Sequence, residues 1–269
     1  MLFDYHVHTA FSGDCSVPME EIVVAAIRQG MQEICFTDHL DFDSTDGTDQ
    51  FQFSASDYQV EVARLKDRYE NKISIKAGVE VGLQPHVLEA SSKFVRQGAF
   101  DFALGSMHGC ERMDFYLGDF FSAYGTLEAI EHYYEEMFQM IATYKDYSVI
   151  GHLDIYKRYN PDSKRISLQS YDHLIEKVFK QVIADDKGIE INTSGLRGDL
   201  GEALPNWNII EIYKELGGKV ITLGSDSHGT GTLCANFEEV LRGLAQRGYK
   251  NVYRFDKMQP VETSINSLL

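Results

Sequence analysis

No Cys-x-x-Cys pair occurs in this chain, and its four cysteines, Cys15, Cys35, Cys110 and Cys234, stand far apart. Over 269 residues that spacing gives no disulfide framework and predicts reduced thiols in a cytoplasmic protein. Positive charge is scarce: 25 Lys and Arg against 41 Asp and Glu leave a net charge of −16. Phosphate-backbone binding is carried by dense Lys/Arg surfaces, so neither nucleic acid nor an acidic membrane is an expected partner. Long apolar runs are missing as well. The longest aliphatic stretch near the start, residues 22–27, is six residues, where a membrane span takes about 20. The opening MLFDYHVHT carries Asp4 and no Lys or Arg, unlike a secretory leader. No Pro- or Ser-rich linker and no sequence repeat breaks the chain, which predicts one domain.

What the chain does have is apolar material and alternation. Hydrophobic residues make up 43%, with 16 Phe and 15 Tyr, ample for a full core. Short β-branched runs at 2–8, 33–37, 73–80, 100–106, 148–152, 188–192 and 219–225 are each followed by a segment of helical period. Those helices are expected at 18–29, 55–71, 86–97, 127–144, 168–185, 206–217 and 237–246, with one more strand at 251–255. Seven βα units predict an α/β fold on a parallel sheet, closed as a barrel or open and doubly wound. Three connections are long: an acidic one at 40–54, one rich in Phe and Tyr at 109–126, and one at 155–167 holding Lys157, Arg158, Lys164 and Arg165. Long loops in compact α/β domains are usually functional.

The polar residues fall at one place in this pattern. His6 and His8 end the first strand, Asp38-His39 follows the second, and Glu80 ends the third. His108 follows the fourth, His152 the fifth, and Asp226-Ser227-His228 the seventh. All are C-terminal strand ends, the face where α/β barrels build active sites. Residues i and i+2 of a strand share a face, so His6 and His8 can address one ion. Six of the nine histidines, with Glu80, Asp226 and Asp14, exceed what one tetrahedral ion can use, so two or three divalent ions (Zn, Fe or Mn) are implied. Asp14 either ligates or shapes the Ser12-Gly13-Asp14 turn. His86, His132 and His173 sit in helical segments and read as hydrogen-bonded core residues, and Cys15 and Cys110 as small buried thiols.

The set His6-Val7-His8-Thr9, Thr37-Asp38-His39, Glu80, Ser106-Met107-His108, Gly151-His152 and Gly224-Ser225-Asp226-Ser227-His228 resembles the PHP family of metal-dependent phosphoesterases across almost the whole chain. That resemblance implies a distorted (β/α)7 TIM-like barrel holding a trinuclear metal centre. Within the family, the stretches 8–14, 37–42 and 192–197 are most similar to the branch that hydrolyses L-histidinol phosphate in histidine biosynthesis. By resemblance, His6, His8, Glu80 and Asp226 hold one metal, and Glu80, His108 and His152 a second. His39 and His228 hold a third, with Asp14 the nearest candidate for its remaining ligand.

Phosphate monoester hydrolysis is among the slowest uncatalysed reactions, so such a site needs a strong nucleophile and charge stabilisation. A hydroxide held between two ions supplies the first. Arg158 and Arg197 each follow a site strand and are candidates for a phosphate clamp, or are solvated loop charges. Asp14 and His39 are the candidates to protonate the leaving alkoxide, a role that excludes saturated ligation at the same moment. Asp41 and Asp43 either receive a cationic substrate group or solubilise their loop, and Lys157 and Arg165 read as solvent-facing. Phe115, Tyr116, Phe120 and Phe121 either roof the pocket or pack on the rim. Three readings compete with this one: a phosphoesterase acting on another small phosphate ester or a nucleotide, a carbon–nitrogen hydrolase, and a non-catalytic metal-holding protein.

Overall fold

Strands that are apolar on both faces have to be covered on both, by helices outside and by one another's side chains within. The computed structural model, which describes residues 2–269, arranges the chain that way. In order the strands are β1 (Phe3–Asp4), β2 (Glu33–Phe36), β3 (His39–Leu40), β4 (Ser74–Gly82), β5 (Phe102–Ser106), β6 (Gly109–Cys110), β7 (Met113–Asp114), β8 (Val149–Ile150), β9 (Gly188–Asn192), β10 (Ile221–Gly224), β11 (Asn251–Asp256) and β12 (Gln259–Ser264). Seven of them, β1-β2-β4-β5-β8-β9-β10, lie side by side and parallel, and β3 continues the line of β2 against β4. Main-chain bonds join the two ends of this row. Tyr5 N–H donates to Leu223 O (3.2 Å), and His8 N–H to Ser227 O (2.9 Å). The expected barrel is therefore the one formed, distorted where β1 and β8 contribute only two paired residues each.

The helices are α1 (Met19–Arg28), α2 (Ala55–Arg68), α3 (Leu88–Gly98), α4 (Asp119–Ala123), α5 (Thr126–Thr143), α6 (Tyr156–Tyr159), α7 (Asp172–Ala184), α8 (Trp207–Glu215) and α9 (Phe237–Gln246). In α1 the 3.6-residue period puts Met19, Ile22, Val23 and Ala26 on the buried face. Glu20 and Glu21 sit in its first turn and Arg28 in its last, matching the helix dipole. Ser54 caps α2 by accepting the Asp57 N–H, and Asn206 caps α8 through Ile209 N–H. No helix among the described residues is long and apolar enough to cross a membrane.

The strand expected at 251–255 forms, but outside the ring. It is β11, paired antiparallel with β12, a strand the sequence reading lacks. Lys257 and Met258 make the two-residue turn, both with positive φ. This hairpin covers the barrel at the N-terminal strand ends. Phe255 packs on Phe102 (ring centroids 5.1 Å apart), the Tyr5 hydroxyl lies 2.9 Å from Phe255 O and 2.8 Å from Glu33 Oε1, and Arg254 pairs with Glu33 at 3.1 Å. The opposite, C-terminal end is left open to the long loops.

Candidate metal centre

Alternation beyond β1 turns Tyr5 and Val7 away from the barrel axis and His6 and His8 toward it, both rings fully buried and 5.0 Å apart. They meet Glu80 of β4, which points to the same place and is the hub of the site. Its Oε2 lies 3.3 Å from His6 Nε2, 3.5 Å from His8 Nε2 and 2.9 Å from His39 Nδ1. Its Oε1 lies 3.4 Å from His108 Nε2 and 2.9 Å from His152 Nε2. Asp226 follows β10 with φ +55°, a left-handed conformation that Asp tolerates better than most residues. That bend brings its Oδ1 to 3.5 Å from His8 Nε2, 3.8 Å from His6 Nε2 and 3.6 Å from His228 Nδ1. Asp14 joins at the rim, 3.0 Å from His228 Nε2 and 3.5 Å from His39 Nε2. All nine residues singled out as metal ligands in the sequence thus surround one small volume.

The electrostatics suit a cation. Burial alone would raise the Glu80 carboxyl, but His6, His39 and His108 hold it well below the usual carboxylate range. Asp226 is held down against burial by His6 and His8 in the same way. Burial and the neighbouring His39 and His228 push His8 down to about 3, so its imidazole is neutral at pH 7. His39 runs the other way: burial opposes its charge, yet Glu80 and Asp14 raise it to about 10.

His6 Nε2, His8 Nε2, His39 Nδ1 and Glu80 Oε2 are buried, and none makes a hydrogen bond. Buried polar atoms that converge on one point without a hydrogen bond call for an explanation, and a bound cation supplies it. Three groups have donor atoms within 4.8 Å of one another: His6-His8-Glu80, His39-Glu80-His108 and His8-His39-His228. Nitrogen and carboxylate donors in these numbers fit borderline divalent ions such as zinc.

A two-lobed cleft opens over the donors. One lobe, of about 460 Å³, is lined by Glu80, His152 and His228 beside Arg158 and Arg197. The Arg158 guanidinium bonds Ser194 Oγ and lies 3.8 Å from Asp226 Oδ2, and Arg197 donates to Ser225 O at 2.6 Å. The other lobe, of about 430 Å³, is lined by acids and aromatics, among them Asp46, Asp114, Phe51, Tyr116 and Tyr159. Asp14, His39 and His108 border both lobes.

Several expectations need correcting. Asp41 is neither loop solubiliser nor free acid: it is 6% exposed, and its Oδ1 lies 2.8 Å from His108 Nδ1. Asp43 instead ties the rim together through His86 and Arg112. Lys157, expected in solvent, is buried and paired with Asp154 at 2.7 Å. His86, His132 and His173 are not core residues. His86 precedes α3 and bonds Asp43, His132 stacks on Tyr124 and bonds Glu111, and His173 is exposed. Phe115 and Phe120 are buried in rim packing, whereas Tyr116 is exposed over the acidic lobe.

Sequence reasoning missed Glu190, whose Oε1 is 2.6 Å from His6 Nδ1, and its neighbour Asn192. The signal was present. In Gly188–Asn192 the residues Ile189 and Ile191 alternate with Glu190 and Asn192, so the acid had to face the barrel interior. Ser12 was missed in the same way: its hydroxyl lies 3.0 Å from His8 Nδ1 and bonds Asp38.

The PHP domain profile matches residues 4–194. A histidinol-phosphatase of Lactococcus lactis subsp. lactis is 33% identical over 227 residues, 84% of this chain and 83% of that protein. A probable histidinol-phosphatase of Clostridium acetobutylicum is 29% identical over 262 residues, 96% and 98% of the two chains. Among solved structures, the histidinol phosphate phosphatase of L. lactis, complexed with zinc, L-histidinol and phosphate, superimposes with a TM-score of 0.88 at 28% identity, covering 97% of this chain and 98% of that one.

Proposed function

This chain belongs to the PHP domain family, and from that premise we propose that it is a phosphoric monoester hydrolase converting L-histidinol phosphate to L-histidinol and phosphate, a step of histidine biosynthesis. The observation that carries this is the end-to-end correspondence with the L. lactis phosphatase that binds zinc, L-histidinol and phosphate. The two-lobed cleft supports it, since it offers arginines at one end and acids with aromatics at the other. A phosphate ester of an imidazole-bearing amino alcohol has the same polarity.

Two to three divalent ions (zinc, iron or manganese) fit the donor set. His6, His8, Glu80 and Asp226 would hold one, Glu80, His108 and His152 a second, and His39, His228 and Asp14 a third. Bound there, such ions supply an activated water and neutralise phosphoryl charge. The remaining work belongs to the chain. Arg158 and Arg197 grip the phosphoryl oxygens, and their charge counts most as negative charge shifts in the transition state. Water oxygen bonds to phosphorus as the bond to the alcohol oxygen breaks. Asp14 and His39 border both lobes, where that oxygen has to lie. While the third ion is absent His39 would deliver the proton, and Asp14, held against burial well below the carboxylate range by His228 and His39, would stay ionised and orient it. Tyr116 and Tyr159 cover the alcohol. The net charge of −16 weighs against nucleic acid and anionic membranes as partners, and four free thiols support a cytoplasmic location.

Phosphate release by metal-replete protein tests the proposal, with L-histidinol phosphate set against sugar phosphates, nucleotides and an aryl phosphate. A kcat/KM for histidinol phosphate orders of magnitude above the others is expected. Weak, even activity across the panel would withdraw the substrate and keep the chemistry. In the same assay Arg158→Ala raises KM for the ester, the mark of a clamp used in ground state and transition state alike.

A further inference from the structure

Two buried acids outside the proposed ligand set stand in the same relation to it. Glu190 on β9 puts Oε1 2.6 Å from His6 Nδ1, while its Oε2 accepts the His152 N–H at 2.8 Å. Between β9 and β1 in the ring lies β10, and the carboxylate crosses it at Gly224. A Cβ at Gly224 would fall 1.9 Å from Glu190 Oε1 and 2.5 Å from His6 Cβ. Asp41, just past β3, repeats the arrangement elsewhere on the ring. Its Oδ1 lies 2.8 Å from Nδ1 of His108, which follows β5, and the strand between is β4. The crossing point is Gly82, where a Cβ would lie 1.9 Å from Asp41 Oδ1 and 2.4 Å from its Cγ. In both cases a carboxylate passes over a strand where that strand has no side chain, and meets the rear nitrogen of a histidine. The front nitrogens of the two histidines, Nε2, face Glu80 at 3.3 and 3.4 Å.

We propose that Glu190 and Asp41 are positioning residues that fix the tautomer and ring orientation of His6 and His108 for metal binding, with Gly224 and Gly82 as the gaps that admit them. The inference rests on the metal reading of the centre. A carboxylate on Nδ1–H leaves the Nε2 lone pair free for a cation and makes it more basic. Glu190 does more than this, because the same carboxylate ties the main chain of His152 to the side chain of His6. Two ligands from non-adjacent strands are thereby set at one spacing.

The test is zinc affinity of the full-length, chelator-stripped protein, measured by competition with a chromophoric chelator, with circular dichroism and melting as the check that each variant folds. Glu190→Ala and Asp41→Ala lose about 10–100-fold in affinity, the usual cost of removing such a partner. Glu190→Gln and Asp41→Asn keep an acceptor and the shape, and fall between those variants and the parent. Gly82→Ala matches Asp41→Ala in the parent and adds nothing in the Asp41→Ala background, because the three atoms nearest its Cβ all belong to Asp41. Folded alanine variants with parental zinc affinity would overturn the positioning role. An additive effect of Gly82→Ala on Asp41→Ala would overturn the role of the gap. A parent that binds no zinc, iron or manganese would overturn the metal reading beneath both.

Discussion

Five imidazoles face the one carboxylate of Glu80, from the ends of three strands, β1, β5 and β8, and from β3. No other residue of the site has so many ligand partners, so Glu80→Gln is expected to cost more than the roughly 100-fold that an outer partner costs. Metal per chain and kcat, measured on the same preparation, check this together; normal turnover with one equivalent of ion lost would contradict it. Lys157 gives a prediction of another kind. The residue is 5% exposed, and its ammonium pairs with the buried Asp154. Lys157→Met strands that carboxylate and should destabilise by about 3–5 kcal/mol, and adding Asp154→Leu should recover much of the loss. Urea unfolding of the single and double variants decides. These two residues also mark what a sequence shows at this scale. Glu80 was legible because it ends a β-branched run in step with five other polar strand ends. Lys157 was not, because its neighbours Arg158, Lys164 and Arg165 make it look like part of a solvated basic loop, and its second partner Glu202 lies on a distant connection.

Elements were legible where apolar periodicity marked them and illegible where turns broke the usual rules. All seven ring strands and their following helices rest on such periods. The two hairpins did not show. Each has a two-residue turn with both φ positive, the geometry that normally recruits Asn-Gly, yet the residues are Lys257-Met258 and Glu111-Arg112. Tertiary contacts hold them instead. Met258 N–H donates to Asp101 O (2.8 Å), and Glu111 bonds both His132 and Tyr124. The β11–β12 hairpin carries its own prediction. Phe255 is buried against Phe102 and Tyr5, so Phe255→Ala should cost about 3–5 kcal/mol of stability. Its kcat and metal content, measured well below the melting temperature, should match the parent, since the hairpin touches only the end of the barrel away from the donors. A fall in kcat at full folding would show the two ends to be coupled.

For the whole molecule, seven βα units could be counted from the sequence and their closure into a ring expected from the family resemblance, but not which end of the ring the last strand would cover. That depends on which surface is left apolar once the ring is complete, and a one-dimensional pattern does not show it. The buried, unpaired donors at the open end tie stability to loading. Ligand held only by the folded state stabilises by about 2.7 kcal/mol per site at 100 times its Kd. Stripping the ions should therefore lower the calorimetric melting temperature, and returning them should restore it; a transition indifferent to chelator would mean that the donors hold nothing.

The hairpin at one end of the barrel and the ligands at the other give this gene two classes of lesion. On the proposed function, a change beneath the hairpin weakens a protein whose chemistry is untouched, so its carrier should need histidine only in the heat and be cured by cool growth or extra copies. A change among the ligands leaves a protein idle however much of it folds, and its carrier should need histidine at every temperature and every dose.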